Sequence, residues 1–186
     1  KAAGTRLEDA MRTGYDALAA KDYMRALEAF DLAIFLDDTY DVSWRLKGNT
    51  LDEMGYHEQA LECYKRALEL LPEGEETWYS LGNCFYALGR FTEEIMCYDK
   101  ALFYNPSMQK ALINKGSTLH RLGRYQEALE TYDKVLRINY RLEKVLRSTP
   151  YTTVFRALDP VSSRRVVIKL VYPAAASVPE ACRTAF

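Results

Sequence analysis

The residues that could bind a metal or form disulfides are few in this sequence and widely separated. They are Cys63, Cys84, Cys97, Cys182, His57 and His120. No two cysteines form a CxxC pair, and neither histidine lies at metal-ligand spacing from a cysteine. The spacing therefore predicts reduced, half-buried thiols, with no disulfide framework, no metal site and no cofactor.

Patterns typical of enzymes are also missing from the sequence. There is no HExxH, no GxSxG and no glycine-rich phosphate loop. Acidic residues such as Glu62 and Glu130 alternate with Lys and Arg at helical spacing, which is typical of exposed i,i+4 pairs. We predict no catalytic residue in this chain.

Composition narrows the class of partner. The 186 residues are 48% hydrophobic and 27% charged, with a net charge of −1 and a pI near 6.2, which gives no reason to expect nucleic acid or an anionic membrane as a partner. The longest apolar run, Val166 to Tyr172, is interrupted by Lys169 and is much shorter than the roughly 20 residues of a membrane span. The charged first twenty residues do not resemble a signal peptide. We expect a cytoplasmic protein.

A repeat of 34 residues organises most of the chain. The same step of 34 relates four glycines and four aromatic residues: Gly14, Gly48, Gly82 and Gly116, and Phe30, Tyr64, Tyr98 and Tyr132. Alanines recur with the same step at 26 and 60, again two steps later at 128, and at 33, 67 and 101. The period predicts four units, 7–40, 41–74, 75–108 and 109–142, preceded by an N-terminal extension, 1–6.

Within each unit the apolar spacing predicts two helices joined by a tight turn. Trp78, Leu81 and Phe85 lie at i, i+3 and i+7, the pattern breaks at Gly89, and it resumes at Ile95. Glycines at 55, 89 and 123 suit a turn with positive φ, and Pro72 and Pro106 follow the second helices. The recurring Gly and Ala positions predict a close approach of the two helices, and one pair cannot bury its apolar face alone, so the units are expected to stack.

These residues resemble the tetratricopeptide repeat. The order Trp78-x-x-Leu81-Gly82-x-x-Phe85, followed by Tyr98, Ala101 and Pro106, matches the pattern of that family. The resemblance implies a mainly α fold, a right-handed α-solenoid of four helix-turn-helix units with a short β-hairpin-like C-terminal tail. Glu94 departs from the pattern, because it stands where Ala is expected; we favour a side chain that snorkels to solvent, with a partnered carboxylate or a site as alternatives.

The resemblance also implies where a ligand binds. In such arrays the first helix of each unit lines a concave groove, and the second, fifth, ninth, twelfth and thirteenth positions of a unit are available for binding. The candidate peptide-binding residues at these positions are Arg45, Asn49, Tyr79, Asn83, Tyr86, Lys110, Ser117 and Arg121. The repeated Asn offers a donor and an acceptor for a peptide backbone, Arg45 could hold a carboxylate, and the tyrosines offer flat apolar area.

Some family members clamp the C-terminal carboxylate of chaperones. Arg45, Asn49 and Asn83 match the first three places of that clamp, whereas Ile113 and Ser117 do not match the last two. Lys110 and Arg121 are candidate substitutes from neighbouring turns. A complete clamp is absent, and a solvated helix face is the alternative for all these residues.

The region 143–186 changes to a β pattern. β-forming residues at 152–155, a turn cluster at 159–163 and the run 166–172 predict a hairpin. The spacing of Leu142, Val145 and Leu146 leaves open a capping helix over 141–148.

The stretch 140–171 is similar to the first three strands of a protein-kinase small lobe. Val154 matches the valine that follows the glycine-rich loop, and Val166-Val167-Ile168-Lys169 matches the V-A-I-K strand, so Lys169 would be the ATP lysine. The three glycine places hold Arg147, Thr149 and Thr152, so the loop could not close on phosphates. An unrelated β tail is the alternative.

Three functions follow as hypotheses. The first is a protein–protein interaction scaffold or adaptor that binds a peptide or protein segment, with no nucleic acid or membrane partner. The second, which follows from the kinase-like tail, is the regulatory region of a longer Ser/Thr kinase or pseudokinase. The chain starts without Met and ends at Phe186 without a loop or helix-stop signal, as an excerpt of a longer protein would. Self-association through the end faces of the array is a third.

Overall fold

The computed structural model describes residues 2–149 and 152–171. The described residues form eight helices followed by three strands. The helices are α1 (Ala2–Ala19), α2 (Tyr23–Leu36), α3 (Asp41–Glu53), α4 (His57–Leu70), α5 (Glu75–Ala87), α6 (Phe91–Tyr104), α7 (Gln109–Arg121) and α8 (Tyr125–Asn139). The strands are β1 (Arg141–Thr149), β2 (Thr152–Leu158) and β3 (Arg165–Val171). The mainly helical fold class is confirmed.

Consecutive helices pack in pairs around the predicted tight turns. Gly55, Gly89 and Gly123 have φ values of +83°, +71° and +75°, the left-handed region in which glycine has no steric penalty. The first turn has Lys21 at this position, with φ of +58°. Helix α1 begins at Ala2, so it includes most of the segment that the sequence predicted as a separate extension.

A glycine on each first helix faces an aromatic ring on the second. A Cβ atom on Gly48 would lie 2.7 Å from Cε1 of Tyr64, and one on Gly82 would lie 2.7 Å from Cε1 of Tyr98. Both rings are buried. The predicted close approach of the two helices is confirmed, because the ring occupies the space that a side chain at the glycine would need.

The chain divides into two compact units, Lys1–Pro106 and Ser107–Phe186. In the first unit three helix pairs stack, with α2 against α3, α4 against α5, and α3 against α5. Trp44 and Trp78 tie successive pairs together, since their indole Nε1–H groups donate to the carbonyl oxygens of Asp38, at 3.0 Å, and Pro72, at 2.8 Å. The stacked pairs give the described repeats the α-solenoid form that the period predicts.

The second unit holds the α7–α8 pair and a three-stranded antiparallel sheet in the order β1-β2-β3. The tail therefore has one strand more than the predicted hairpin, and residues 141–149 form β1 rather than a capping helix. The helix-like spacing of Leu142 and Val145 has a physical explanation: the β1–β2 register shifts between Leu142 and Lys144 and again between Val145 and Arg147. Such bulges interrupt the two-residue period of a strand.

Two findings bear on expectations about polar groups and membranes. Glu94 is only 1% exposed, so the prediction that its carboxylate reaches solvent was wrong. Among the described residues, no helix is both long enough and apolar enough to cross a bilayer.

Candidate protein-binding surface

Helix α3 carries the first two predicted binding residues, Arg45 and Asn49, both partly exposed. The side-chain carbonyl of Asn49 accepts a 2.9 Å hydrogen bond from the hydroxyl of Tyr64 on α4. The ring that fills the space beside Gly48 therefore also orients the amide of the next residue.

Helix α5 carries three more predicted residues, and its Asn83 repeats the arrangement of Asn49. The carbonyl of Asn83 accepts a 2.7 Å hydrogen bond from the hydroxyl of Tyr98. Tyr79 lies against the same Tyr98 ring, with centroids 5.8 Å apart. Tyr86 is 49% exposed and packs its ring 6.1 Å from that of Phe91. Helices α3 and α5 contact each other in the first unit, so these residues and Arg45 and Asn49 lie on neighbouring helices.

The fourth and first repeats can be compared at the same two positions, the ninth residue of the repeat and the aromatic residue of its second helix. Ser117 and the Tyr132 hydroxyl are 3.2 Å apart. In the first repeat the second helix has Phe30, which has no hydroxyl, and the partner position holds Tyr15, whose ring meets Phe30 edge-on at 6.4 Å. A polar residue thus occupies the ninth position wherever the ring carries a hydroxyl.

The Tyr64 hydroxyl is a permanent donor. Burial, followed by the negative charge of Asp52, raises the pKa of Tyr64 far above its ordinary value, and the positive charge of Arg45 opposes that shift only in part. The hydroxyl therefore keeps its proton at every physiological pH. Its donation to the Asn49 carbonyl occupies an acceptor position of that amide and not its N–H donors.

Helix α7, in the second unit, carries the remaining predicted residues. Lys110, Ser117 and Arg121 are exposed, and so is Ile113, at 45%. His120 packs its ring 5.1 Å from that of Tyr125. The predicted residues on this helix are thus on the surface of their own unit.

Lys169, the residue that matches the kinase lysine, lies in β3 and is exposed. It pairs with Val154 of β2 in the antiparallel register. Glu143 of β1 is 3.3 Å from the guanidinium groups of both Arg156 in β2 and Arg165 in β3.

One cluster was missed by sequence reasoning. Asp52, His57 and Cys84 offer ligand atoms that all lie within 4.8 Å of one another, and within the described parts of the chain theirs is the only such group of three. His57 Nδ1 is 2.6 Å from the Asp52 carboxylate, and the Cys84 thiol donates to the His57 carbonyl oxygen at 3.4 Å. Burial raises the pKa of the Cys84 thiol, and the negative charge of Asp52 adds to that effect. The 34-residue period shows that these three positions differ in residue type from those of the neighbouring repeats, but it does not show that the side chains meet.

Comparison with known proteins defines the class of the helical region. Family models described as TPR repeat and as tetratricopeptide repeat match residues 48–89, 75–107 and 110–139. All three matches fall within the helix pairs described above. The chain therefore contains tetratricopeptide repeats, which confirms that part of the resemblance.

Solved structures agree with this class. A crystal structure of MamA superposes with a TM-score of 0.67 at 20% identity, over 71% of this chain and 77% of that one. The 41-end form of MamA from Desulfovibrio magneticus RS-1 gives a TM-score of 0.64 at 22% identity, over 71% and 75% of the two chains. At these identities the likeness concerns the fold. No curated protein matches the sequence, and none of these comparisons supports the kinase-like interpretation of the tail.

Proposed function

We propose that the chain is a non-catalytic protein-interaction scaffold, and that the first helices of its repeats bind a peptide or an extended protein segment. The observation that carries the proposal is the repeated amide, Asn49 on α3 and Asn83 on α5, each held by a tyrosine of its own repeat. Fixed amides lose little side-chain entropy on binding, because their rotamers are set before the ligand arrives.

The two amides suit a ligand that is read through its backbone. They recur at one position of successive repeats, on two helices in contact, so a chain crossing both helices would meet one amide and then the other. A side-chain amide can donate to a peptide carbonyl whatever the peptide sequence. This arrangement supports affinity for extended segments and leaves selectivity to the residues around the amides.

Arg45 and the two tyrosines would supply that selectivity. Arg45 is partly exposed one turn before Asn49, where its guanidinium could pair with a carboxylate of the ligand. Tyr79 and Tyr86 add aromatic area next to Asn83. We therefore propose a ligand with an acidic group followed by an apolar side chain, and we assign Lys110, Ser117 and Arg121 to contacts made by the fourth repeat.

A peptide-display selection on the purified chain would test this function. Selected peptides should lose at least tenfold in affinity, measured by fluorescence anisotropy, when Arg45→Ala or Asn49→Ala is introduced. Lys65→Ala is the matched control, because Lys65 is an exposed cation on α4 that pairs with Glu62. If the wild-type chain and the Asn49→Ala variant, both with native circular dichroism, bound the peptides equally, the assignment of the binding site to the first helices would be wrong.

The regulatory region of a longer kinase-like protein is the second candidate function. The feature that favours it is the antiparallel order β1-β2-β3 with Lys169 on the third strand. Arg147, Thr149 and Thr152 stand at the glycine places, which argues against phosphate binding in this chain. Reading the full-length reading frame for H-R-D and D-F-G segments would decide the matter. For either function we propose a cytoplasmic location, and sedimentation at several concentrations would reveal self-association.

A further inference from the structure

We propose that Asp52, His57 and Cys84 form a binding site for a divalent transition-metal ion with the ligand preferences of zinc. The three side chains come from the last turn of α3, the first residue of α4 and the last turn of α5. Packing of the second repeat against the third brings them together. The inference does not depend on peptide binding.

The ligand set suits zinc in type and in charge. Thiolate, imidazole and carboxylate are the three protein ligands that zinc accepts, with bonds of about 2.0–2.3 Å. A thiolate and a carboxylate carry two negative charges, which a divalent cation neutralises, so the occupied site would hold no net charge. On binding, the Cys84 S–H bond breaks, its proton goes to solvent, and the sulfur donates an electron pair to the metal.

The distances require only small side-chain shifts. Ligand atoms around a tetrahedral zinc are about 3.3–3.6 Å apart, given those bond lengths. All three atoms are already within 4.8 Å of one another, and the Asp52–His57 hydrogen bond, at 2.6 Å, would have to open by less than about 1 Å. The metal would replace that hydrogen bond and draw in the Cys84 sulfur.

The site is open on one side. Cys84 is buried, whereas the side chains of Asp52 and His57 are 20% and 28% exposed. A metal held by these three ligands would therefore have its fourth position towards solvent, where a water molecule or a group from a binding partner could complete the tetrahedron.

The fold itself does not require these polar groups. At the positions equivalent to Asp52 and His57 the third repeat has Tyr86 and Phe91, whose tilted rings are 6.1 Å apart; the first repeat has Leu18 and Tyr23, and the fourth has His120 and Tyr125. Cys84 corresponds to Thr50 and Thr118. In each of the other repeats the pair at this turn includes an aromatic ring, and within the described residues three metal-binding side chains come together only where the second and third repeats meet.

The alternative is that the Asp52–His57 hydrogen bond merely closes the turn and Cys84 merely fills the core. Titration of the full chain with Co²⁺, the spectroscopic substitute for zinc, separates the two. We expect one equivalent to bind, with a thiolate-to-cobalt charge-transfer band in the near ultraviolet, and one equivalent of Zn²⁺ to displace it and raise the melting temperature.

Variants taken from the neighbouring repeats provide the test. Cys84→Thr introduces the residue found at 50 and 118, and the double variant Asp52→Tyr, His57→Phe introduces the pair found at 86 and 91. Either change should abolish the charge-transfer band and weaken binding at least 100-fold. Cys97→Ser, a change in the same core cluster, and Cys182→Ser should leave the charge-transfer band and the cobalt affinity unchanged.

Three results would overturn the proposal. They are the absence of saturable cobalt binding, a charge-transfer band that survives in Cys84→Thr, and a band that Cys182→Ser removes. If Cys84→Thr fails to fold, the double variant gives the same decision, because it leaves the thiol in place and removes the other two ligands.

Discussion

The helical repeats and the three-stranded sheet are built on different kinds of contact. Each repeat encloses an aromatic ring of its second helix against a glycine of its first, and the rings of Phe30, Tyr64 and Tyr98 are at most 1% exposed. In the sheet, Ala157 is the only buried residue among the strand positions whose side chains the structure describes. Val167, on the neighbouring strand, is 66% exposed. Both halves of the buried contact in a repeat therefore come from one 34-residue segment, whereas the strand positions whose side chains are described bury one small residue and carry charge pairs between strands.

The largest effect is expected from charging the buried position of the sheet. Ala157→Asp would place a carboxylate where no solvent reaches, and we expect a loss of about 4 kcal/mol in the free energy of unfolding of the sheet. Hydrogen exchange should show lost protection in β2, with α3 to α6 unchanged. Val167→Asp, at the exposed position, is the control. Equal loss of protection in the helices would contradict this prediction, because it would mean that the sheet and the helical repeats unfold together.

Overpacking the third repeat is expected to have the next largest effect. Gly82→Val would drive its side chain into the buried ring of Tyr98, and we expect the repeats to lose about 2–3 kcal/mol in the free energy of unfolding. Urea denaturation followed by circular dichroism would measure the loss. Ala87→Val, at an exposed position of the same helix, isolates the cost of a β-branched residue. If both variants were equally stable, the ring would not be confining the glycine.

Removing the tyrosine hydroxyl tests a smaller contact. Tyr64→Phe would leave the Asn49 carbonyl without its donor, and we expect a loss of about 1 kcal/mol in the free energy of unfolding. A double-mutant cycle with Asn49→Ala should return a coupling energy of similar size. The first repeat, which has Phe30 at this position, shows that the fold tolerates the change. A coupling energy near zero would mean that the hydroxyl does not orient the amide.

The smallest effect is expected at the surface of the repeats. The Arg90 guanidinium, hydrogen bonded to Glu93, holds the pKa of that carboxyl below its ordinary value. A carboxyl whose pKa is lower in the folded protein contributes stability above its unfolded pKa, and this is lost as the pH falls through the folded pKa. Glu93→Gln should lower the melting temperature slightly at pH 7 and not at all below the folded pKa. NMR titration of the Glu93 carboxyl would check the direction, and Glu127 beside Arg124 is the matched site.

The sequence predicted the helical region well because its signals are periodic and local. The glycine, the ring it faces and the turn glycine recur every 34 residues, so each repeat carries the same local signals for a helix pair. The tail was harder, because bulges in β1 produced a spacing that is typical of a helix. The buried state of Glu94 and the meeting of His57 with Cys84 depend on contacts between elements, which a periodic pattern does not contain.

The contact between Gly48 and the ring of Tyr64 also bears on how a chain of repeats can lengthen by duplication. Both halves of the contact lie within one 34-residue segment, so a tandem duplication that copies the segment copies the contact intact. A recombination event with its endpoint inside the segment would pair the glycine of one copy with the ring of another copy. The contact between them would be preserved only if both copies have the glycine and the ring at the same positions. The Asp52, His57 and Cys84 group is distributed over two segments, so copying either segment alone does not copy the whole group.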